Sequence, residues 1–288
     1  MCLNVHGGLS DKIKIDDFVQ RMREHDVILL CETWSNKFSD IDLDGYRRMS
    51  QLRVKKKGGK RESGGLEIYL KEGLAESVKE IIWDNEDGFC MQFDKESFGW
   101  DKDLIIFFVY MIPSNSSRND INADEDCFDR LFNKLASVDK DSMKLCCGDF
   151  NSRIGNRKEI IIKHESEEEK YIHFNSVSGM SEDTMFNEDD FICNNMAIDR
   201  VNSDHVINDY GLKLLRICNA CDLAVLNGRA GKDNFNGSTT FCGTQGESTV
   251  DFVLVDKDVI NMVRYFDISD PSEFSDHKTL LFKLKCKL

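Results

Sequence analysis

Gly148-Asp149-Phe150-Asn151-Ser152-Arg153 places a carboxylate and a carboxamide two residues apart, directly after the run Met143-Lys144-Leu145-Cys146-Cys147. That run reads as a strand entering a core, and Gly148 is expected to break it. At a spacing of two, both side chains leave an extended chain on one face. An acceptor and a mixed donor/acceptor can then converge on one small group, such as an attacking water. The same residue types build turns, and this stretch taken alone favours a turn. Other polar groups stand at or near the ends of other strand-like runs: Asn4, Glu32, Tyr110, Asp251 and the pair Asp276-His277. If two sheets share one edge, these ends meet. The chemistry open to such a group is phosphate-ester hydrolysis, with a hard cation on oxygen ligands, a water polarised by a carboxylate and a histidine at the phosphorus. His277 alone reads as a structural histidine. Asp276 beside it and Asp251 to orient it favour the catalytic reading.

The elements that must position these groups are legible in outline. Met1-Cys2-Leu3-Asn4 makes a very short strand, and Ile13, Ile15, Phe18, Val19 and Met22 follow helical spacing from a cap at Ser10 or Asp11 to Glu24. Asp26-Val27-Ile28-Leu29-Leu30-Cys31 is a continuous apolar run, as expected of a strand buried on both faces. Strands are predicted at Gly45–Met49, Gly64–Leu70, Val78–Ile82, Phe89–Phe93 and Leu104–Tyr110, then a helix at Asp124–Ala136. A helix over Asn208–Cys218 follows, with strands at Leu223–Leu226, Thr239–Phe241, Ser248–Val255, Val263–Ile268 and Thr279–Leu284. Strands outnumber helices without alternating strictly with them. The fold class expected is therefore α/β (α+β), with two packed mixed β-sheets and helices outside.

Composition bounds the rest. The 288 residues are 41% hydrophobic and 31% charged with two prolines, which argues for one domain spanning 1–288 without a Pro-rich linker. Eleven cysteines, several of them in apolar runs, suit a reducing intracellular compartment. Cys218 and Cys221 have CxxC spacing, but no second pair completes a zinc site, so a core role is favoured. No run approaches a membrane span and no signal segment opens the chain, so no membrane partner is expected. The net charge of −14 argues against broad nucleic-acid affinity. Its distribution is uneven. Nine acidic residues and one lysine lie between His164 and Asp190, inside a polar stretch at about 157–203 that reads as an insertion or a partly disordered loop. Arg53, Lys55, Lys56, Lys57, Lys60 and Arg61 form the opposite extreme, a basic hairpin-like connection suited to phosphates.

Asn4, Leu30-Cys31-Glu32-Thr33-Trp34, Gly148-Asp149-Phe150-Asn151, Ser248-Thr249-Val250-Asp251 and Ser275-Asp276-His277 occur in the order found in the endonuclease/exonuclease/phosphatase superfamily. The chain most resembles its apurinic-type endonuclease branch from non-LTR retrotransposons, supported by Gly64–Tyr69, Tyr210–Leu215, Leu226–Arg229 and Thr239–Phe241. The resemblance implies a four-layer, DNase I-like sandwich and a Mg²⁺-dependent DNA endonuclease that nicks one strand, with Mn²⁺ as the substitute ion. It also implies roles. Glu32 and Asn4 would stand at the metal, and Asp276 at the metal or the leaving-group side. Asp149 would take a proton from water, with Asn151 and Tyr110 holding phosphate or helping to orient the nucleophile. Asp251 would hold His277, and Thr240 would bind phosphate or order the site. The expected partners are DNA and a reverse transcriptase encoded elsewhere, and a monomer is expected. Other readings are a hydrolase of the same fold acting on inositol phosphates or lipids, and a catalytically inactive interaction domain.

Overall fold

Apolar runs without polar alternation must be covered on both faces, and here they form the middle of the molecule. Numbering strands in chain order, Leu104–Tyr110 (β7) is buried at every position and Met143–Asp149 (β8) at all but one. The computed structural model describes residues 1–53, 63–83, 85–116, 125–160, 162–163, 186–244 and 246–286. One sheet runs β15 (Val263–Ile268), β16 (Leu280–Leu284), β1 (Cys2–Asn4), β2 (Val27–Cys31), β4 (Leu66–Lys71) and β3 (Tyr46–Gln51). The other runs β11 (Ala224–Val225), β14 (Asp251–Val255), β8, β7, β6 (Gly88–Phe93) and β5 (Val78–Ile81). Two small ribbons accompany them: β9 (Ile162–Lys163) with β10 (Phe186–Asn187), and β12 (Phe241–Gly243) with β13 (Gly246–Ser248).

Each large sheet has one parallel pair near its middle, β1 with β2 and β7 with β8, and its other pairings are antiparallel. Parallel partners finish at the same edge. Asn4 and Glu32 therefore leave one sheet together, and Tyr110 and Asp149 leave the other, at register partners Tyr110 and Asp149. β14 runs against β8, so its first residue, Asp251, lies opposite Asp149. The sheets pack face to face around Leu29, Ile68, Met91, Ile106, Phe108, Leu145 and Val253. Helices Cys127–Ser137 and Asp209–Ala220 cover the outer face of the second sheet through Phe128, Leu131, Leu214 and Cys218. Leu9, Phe18 and Met22 cover the outer face of the first. This is the layered arrangement the resemblance implies.

Several local readings change. Gly148 does not end its strand: β8 continues through it to Asp149. The helix expected from residue 10 to Glu24 is two short ones, Leu9–Lys12 and Asp16–Arg23, because Ile15 is extended between them. Lys12 helps fix the break, since its Nζ donates to the carbonyls of Val5 and Gly7. The stretch at 157–203 is ordered at both described ends. Phe186 pairs with Ile162, and Asn187 and Asp190 cap the helix Glu188–Ile192 reciprocally. Ile160, Phe186, Phe191 and Met196 join the core between the sheets. Buried Glu159 accepts from Arg200 Nε at 3.1 Å and from Arg229 Nη2 at 2.5 Å, tying this segment to the turn after β11. The acidic residues from 164 to 185 lie outside the described residues. Cys218 is buried in the core and Cys221 half-buried, both as free thiols.

Candidate active site

Asp149 sits where the two sheets touch. Its Oδ2 accepts from Asn4 Nδ2 at 2.8 Å, a bond that crosses from one sheet to the other. Its Oδ1 accepts from the Asn151 backbone N–H at 2.8 Å. The carboxyl is buried, and burial pushes its pKa up to about 7; Asp251 adds to the rise, while His277, Asn151 and Asn4 oppose it. Asn151 has left-handed backbone, φ 48°, and donates from Nδ2 to the Met111 carbonyl at 2.8 Å. Convergence of the two side chains thus comes from a turn after the strand rather than from strand alternation.

His277 lies beside this carboxyl. Its Nδ1 is 2.9 Å from Asp251 Oδ2, and both side chains are buried. Burial works against the imidazolium, but the Asp251 carboxylate outweighs it, with Asp149 and Asp276 adding, so the pKa is pushed up to about 10. One ligand atom from each of Asp149, Asp251 and His277 lies within 4.8 Å of the others. Ser275 links this side to β1: its hydroxyl donates to the Asn4 carbonyl at 2.6 Å and accepts from the His277 N–H at 3.0 Å. Thr240 is fully buried, and its hydroxyl accepts from the N–H groups of Val250 and Asp251 at 3.0 and 3.1 Å. It therefore orders the start of β14.

The other sheet contributes Glu32 and, through a neighbour, Asp276. Glu32 follows β2 with φ 51°, and its carbonyl accepts from Gly7 N–H at 2.6 Å. Burial raises the Tyr110 phenol pKa, and the Glu32 and Asp149 carboxylates add to it. Asp276 is engaged by His6, whose Nδ1 is 2.8 Å from the carboxylate, while the His6 N–H donates to Asn4 Oδ1 at 2.9 Å. His6 was not singled out in the sequence, because it belongs to no strand and stands beside two glycines. Four of the seven described non-glycine residues with positive φ lie here: His6, Glu32, Asn151, and Trp34, whose ring packs on His6. Strained backbone gathered in this way marks functional positions.

The basic connection divides. Lys55, Lys56, Lys57, Lys60 and Arg61 lie outside the described residues. Arg53 is described, and it contradicts the expectation of an exposed phosphate contact: it is buried, ion-paired with Asp87, with its cation 5.0 Å over the Tyr110 ring. The bulk of its side chain had to be covered somewhere, and Gly64 leaves room for it.

Comparison with known proteins adds four findings. The chain is similar over 98% of its length to the AP endonuclease LMAP from Leishmania major, at a TM-score of 0.63 and 12% identity, covering 86% of that chain. It is similar over 97% of its length to the endonuclease domain of TRAS1, a telomere-specific non-LTR retrotransposon, at a TM-score of 0.53 and 12% identity, covering 94% of that domain. No curated protein matches it significantly in sequence. These likenesses confirm the two-sheet, DNase I-like fold. The model of one sequence family, described as Endonuclease/Exonuclease/phosphatase family, matches residues 1–277, and with Asn4, Asp149, Asp251 and His277 gathered at one sheet edge, the chain belongs to that family.

Proposed function

We propose that this protein is a divalent-cation-dependent phosphodiester hydrolase that nicks one strand of DNA. The observation that carries the reading is Asp149, a buried carboxyl held from both sheets and placed beside an imidazolium paired with a second carboxylate. A carboxyl raised toward neutral pH is suited to accept a proton, so Asp149 takes it from the attacking water. Asn151 and Tyr110 hold the phosphate against that water. His277, fixed by Asp251, balances negative charge gathering on the phosphoryl oxygens. A general base supplies only about 10²- to 10⁴-fold, so preorganised charge must supply much of the rest.

Glu32, Asn4 and Asp276 would hold Mg²⁺ or Mn²⁺. Their oxygen donors suit a hard cation, whereas protonated His277 has no lone pair to give at its Asp251-bound nitrogen. Such an ion, when bound, polarises a phosphoryl oxygen and offsets the negative charge that Asp149 and Asp251 concentrate here. DNA as the substrate is supported by the likeness to two endonucleases and by the basic residues Lys55, Lys56, Lys57, Lys60 and Arg61. The likeness to the TRAS1 domain supports a retrotransposon-type role, in which residues 1–288 act as one monomeric domain that serves a reverse transcriptase.

Incubation with supercoiled, abasic and random duplex DNA tests the reading, with inositol phosphates and a lipid phosphodiester as competing substrates. The expected result is Mg²⁺-dependent nicked product, abolished by chelation and reduced by roughly a hundredfold or more in Asp149→Ala and in His277→Ala. Nicking that persists unchanged in both variants overturns it, and so does turnover confined to the non-nucleic-acid esters.

A further inference from the structure

Arg53 does not face solvent. Its surroundings are specific. The guanidinium pairs with Asp87, and the two side chains retain only 3% and 6% of their exposure. Its Cζ lies 5.0 Å from the centroid of the Tyr110 ring, the distance of a cation over an aromatic face. Gly64 makes the seat. It has φ +70°, and a Cβ there would stand 2.3 Å from Nη1 of Arg53, so no side chain fits between this backbone and the guanidinium. Asp87 grips Tyr110 a second way, since its carbonyl accepts the Tyr110 N–H at 2.9 Å. Asp87 is itself fixed by Asn85, whose Oδ1 accepts the Asp87 N–H at 3.1 Å. Tyr110 is the register partner of Asp149 on β8, so the ring sits at the sheet edge that carries the buried carboxyl.

We infer that Arg53, with Asp87, is a positioning residue that clamps the Tyr110 ring at the sheet edge beside Asp149, and that Arg53 is not a ligand for phosphate. The clamp has a physical logic. A phenol ring at a strand end can rotate about its side-chain bonds, and the backbone bond to Asp87 leaves that rotation open. A planar guanidinium lying over the ring fixes the face, and a buried ion pair holds the guanidinium in place. Lysine, a compact charge without a plane, does not reproduce this arrangement. The catalytic consequence rests on the proposed function; the clamp itself does not.

Two variants separate the clamp from folding. Arg53→Lys keeps a charge for Asp87, and the pair Arg53→Met with Asp87→Asn removes both charges so that neither is stranded. Nicking by each is measured in the wild-type and the Tyr110→Phe backgrounds. The expected result is a kcat lower by roughly ten- to a hundredfold with KM and its salt dependence unchanged, and no further loss once Tyr110 is phenylalanine. A higher KM with a salt slope shallower by about one makes Arg53 a phosphate ligand and overturns the inference. Equal losses in the two backgrounds overturn it too, because the residue then serves the fold at large. ¹⁹F NMR of protein carrying 3-fluorotyrosine decides the clamp without activity. The Tyr110 resonance, identified by its disappearance in Tyr110→Phe, is expected to shift in the double variant while the other tyrosines hold; an unmoved resonance refutes the clamp. If the wild type cuts no DNA, the functional reading falls and this resonance still decides the place of Arg53.

Discussion

At the scale of residues, Asp149 has to be ionised to accept a proton, yet its surroundings favour the neutral form. Burial holds its pKa at about 7, above the free-acid value of 3.8. A carboxyl raised in the fold contributes stability that is fully present below the free-acid pKa and is lost as pH rises through the folded one. Between pH 4 and 8 the metal-free wild type is therefore expected to lose on the order of 2–4 kcal/mol relative to Asp149→Asn, followed by urea unfolding. His277 has the same sign but a later window. Its stabilisation is complete below 6.5 and is lost as pH climbs toward about 10. Added Mg²⁺ is expected to shrink the Asp149 loss, because a nearby cation favours the carboxylate. A wild type that gains stability on Asp149→Asn over this range contradicts the burial argument. Residue types were legible in the sequence here, and residue roles only partly. Arg53 and Thr240 carry groups that bind phosphate elsewhere, but both side chains are buried and spent on Asp87 and on the start of β14. Exposure is set by neighbours distant in the chain, and no local pattern records it.

At the scale of elements, two parallel pairs bring the site together, and Gly148 is the residue on which one of them depends. Its φ is +141°, and a Cβ on it would stand 1.9 Å from the Val109 carbonyl oxygen on β7. That oxygen belongs to backbone and cannot swing away. Gly148→Ala is accordingly expected to push β8 from β7, to cost roughly 2–4 kcal/mol, and to abolish nicking by displacing Asp149. Thermal unfolding alongside the nicking assay checks this, and a variant with wild-type stability and activity contradicts it. The sequence marked this glycine as a strand breaker, since glycine commonly ends strands. Its actual use is close approach of two strands, which depends on what lies across the sheet. The long uninterrupted strands were placed well: Leu104–Tyr110 and Val263–Ile268 have the predicted bounds. Short elements were not. Ile13 and Ile15 fit a helix by spacing, but Lys12 bonded to the Val5 and Gly7 carbonyls and an extended Ile15 divide it.

At the scale of the whole molecule, a net charge of −14 sets the terms of any contact with nucleic acid. Neutralising phosphates supplies most non-specific affinity, so this chain is expected to bind random duplex weakly, with Kd no tighter than about 10⁻⁶ M near physiological salt. Fluorescence anisotropy across a salt series measures it. Tight, strongly salt-dependent binding to random duplex is incompatible with so acidic a chain acting through a small basic region. The sequence by itself determined the two-sheet class, the buried central strands and the identities of the polar groups at their ends, because hydrophobic pattern and residue chemistry are local properties. It also carried the ordered motifs on which the family resemblance rests. Only the tertiary structure decided that Asn4 bonds Asp149 across the sheets, that His6 takes Asp276, and that Arg53 lies beneath Tyr110. Those outcomes depend on which strand ends share an edge and which side chains the packing covers, and residues far apart in the chain settle both jointly.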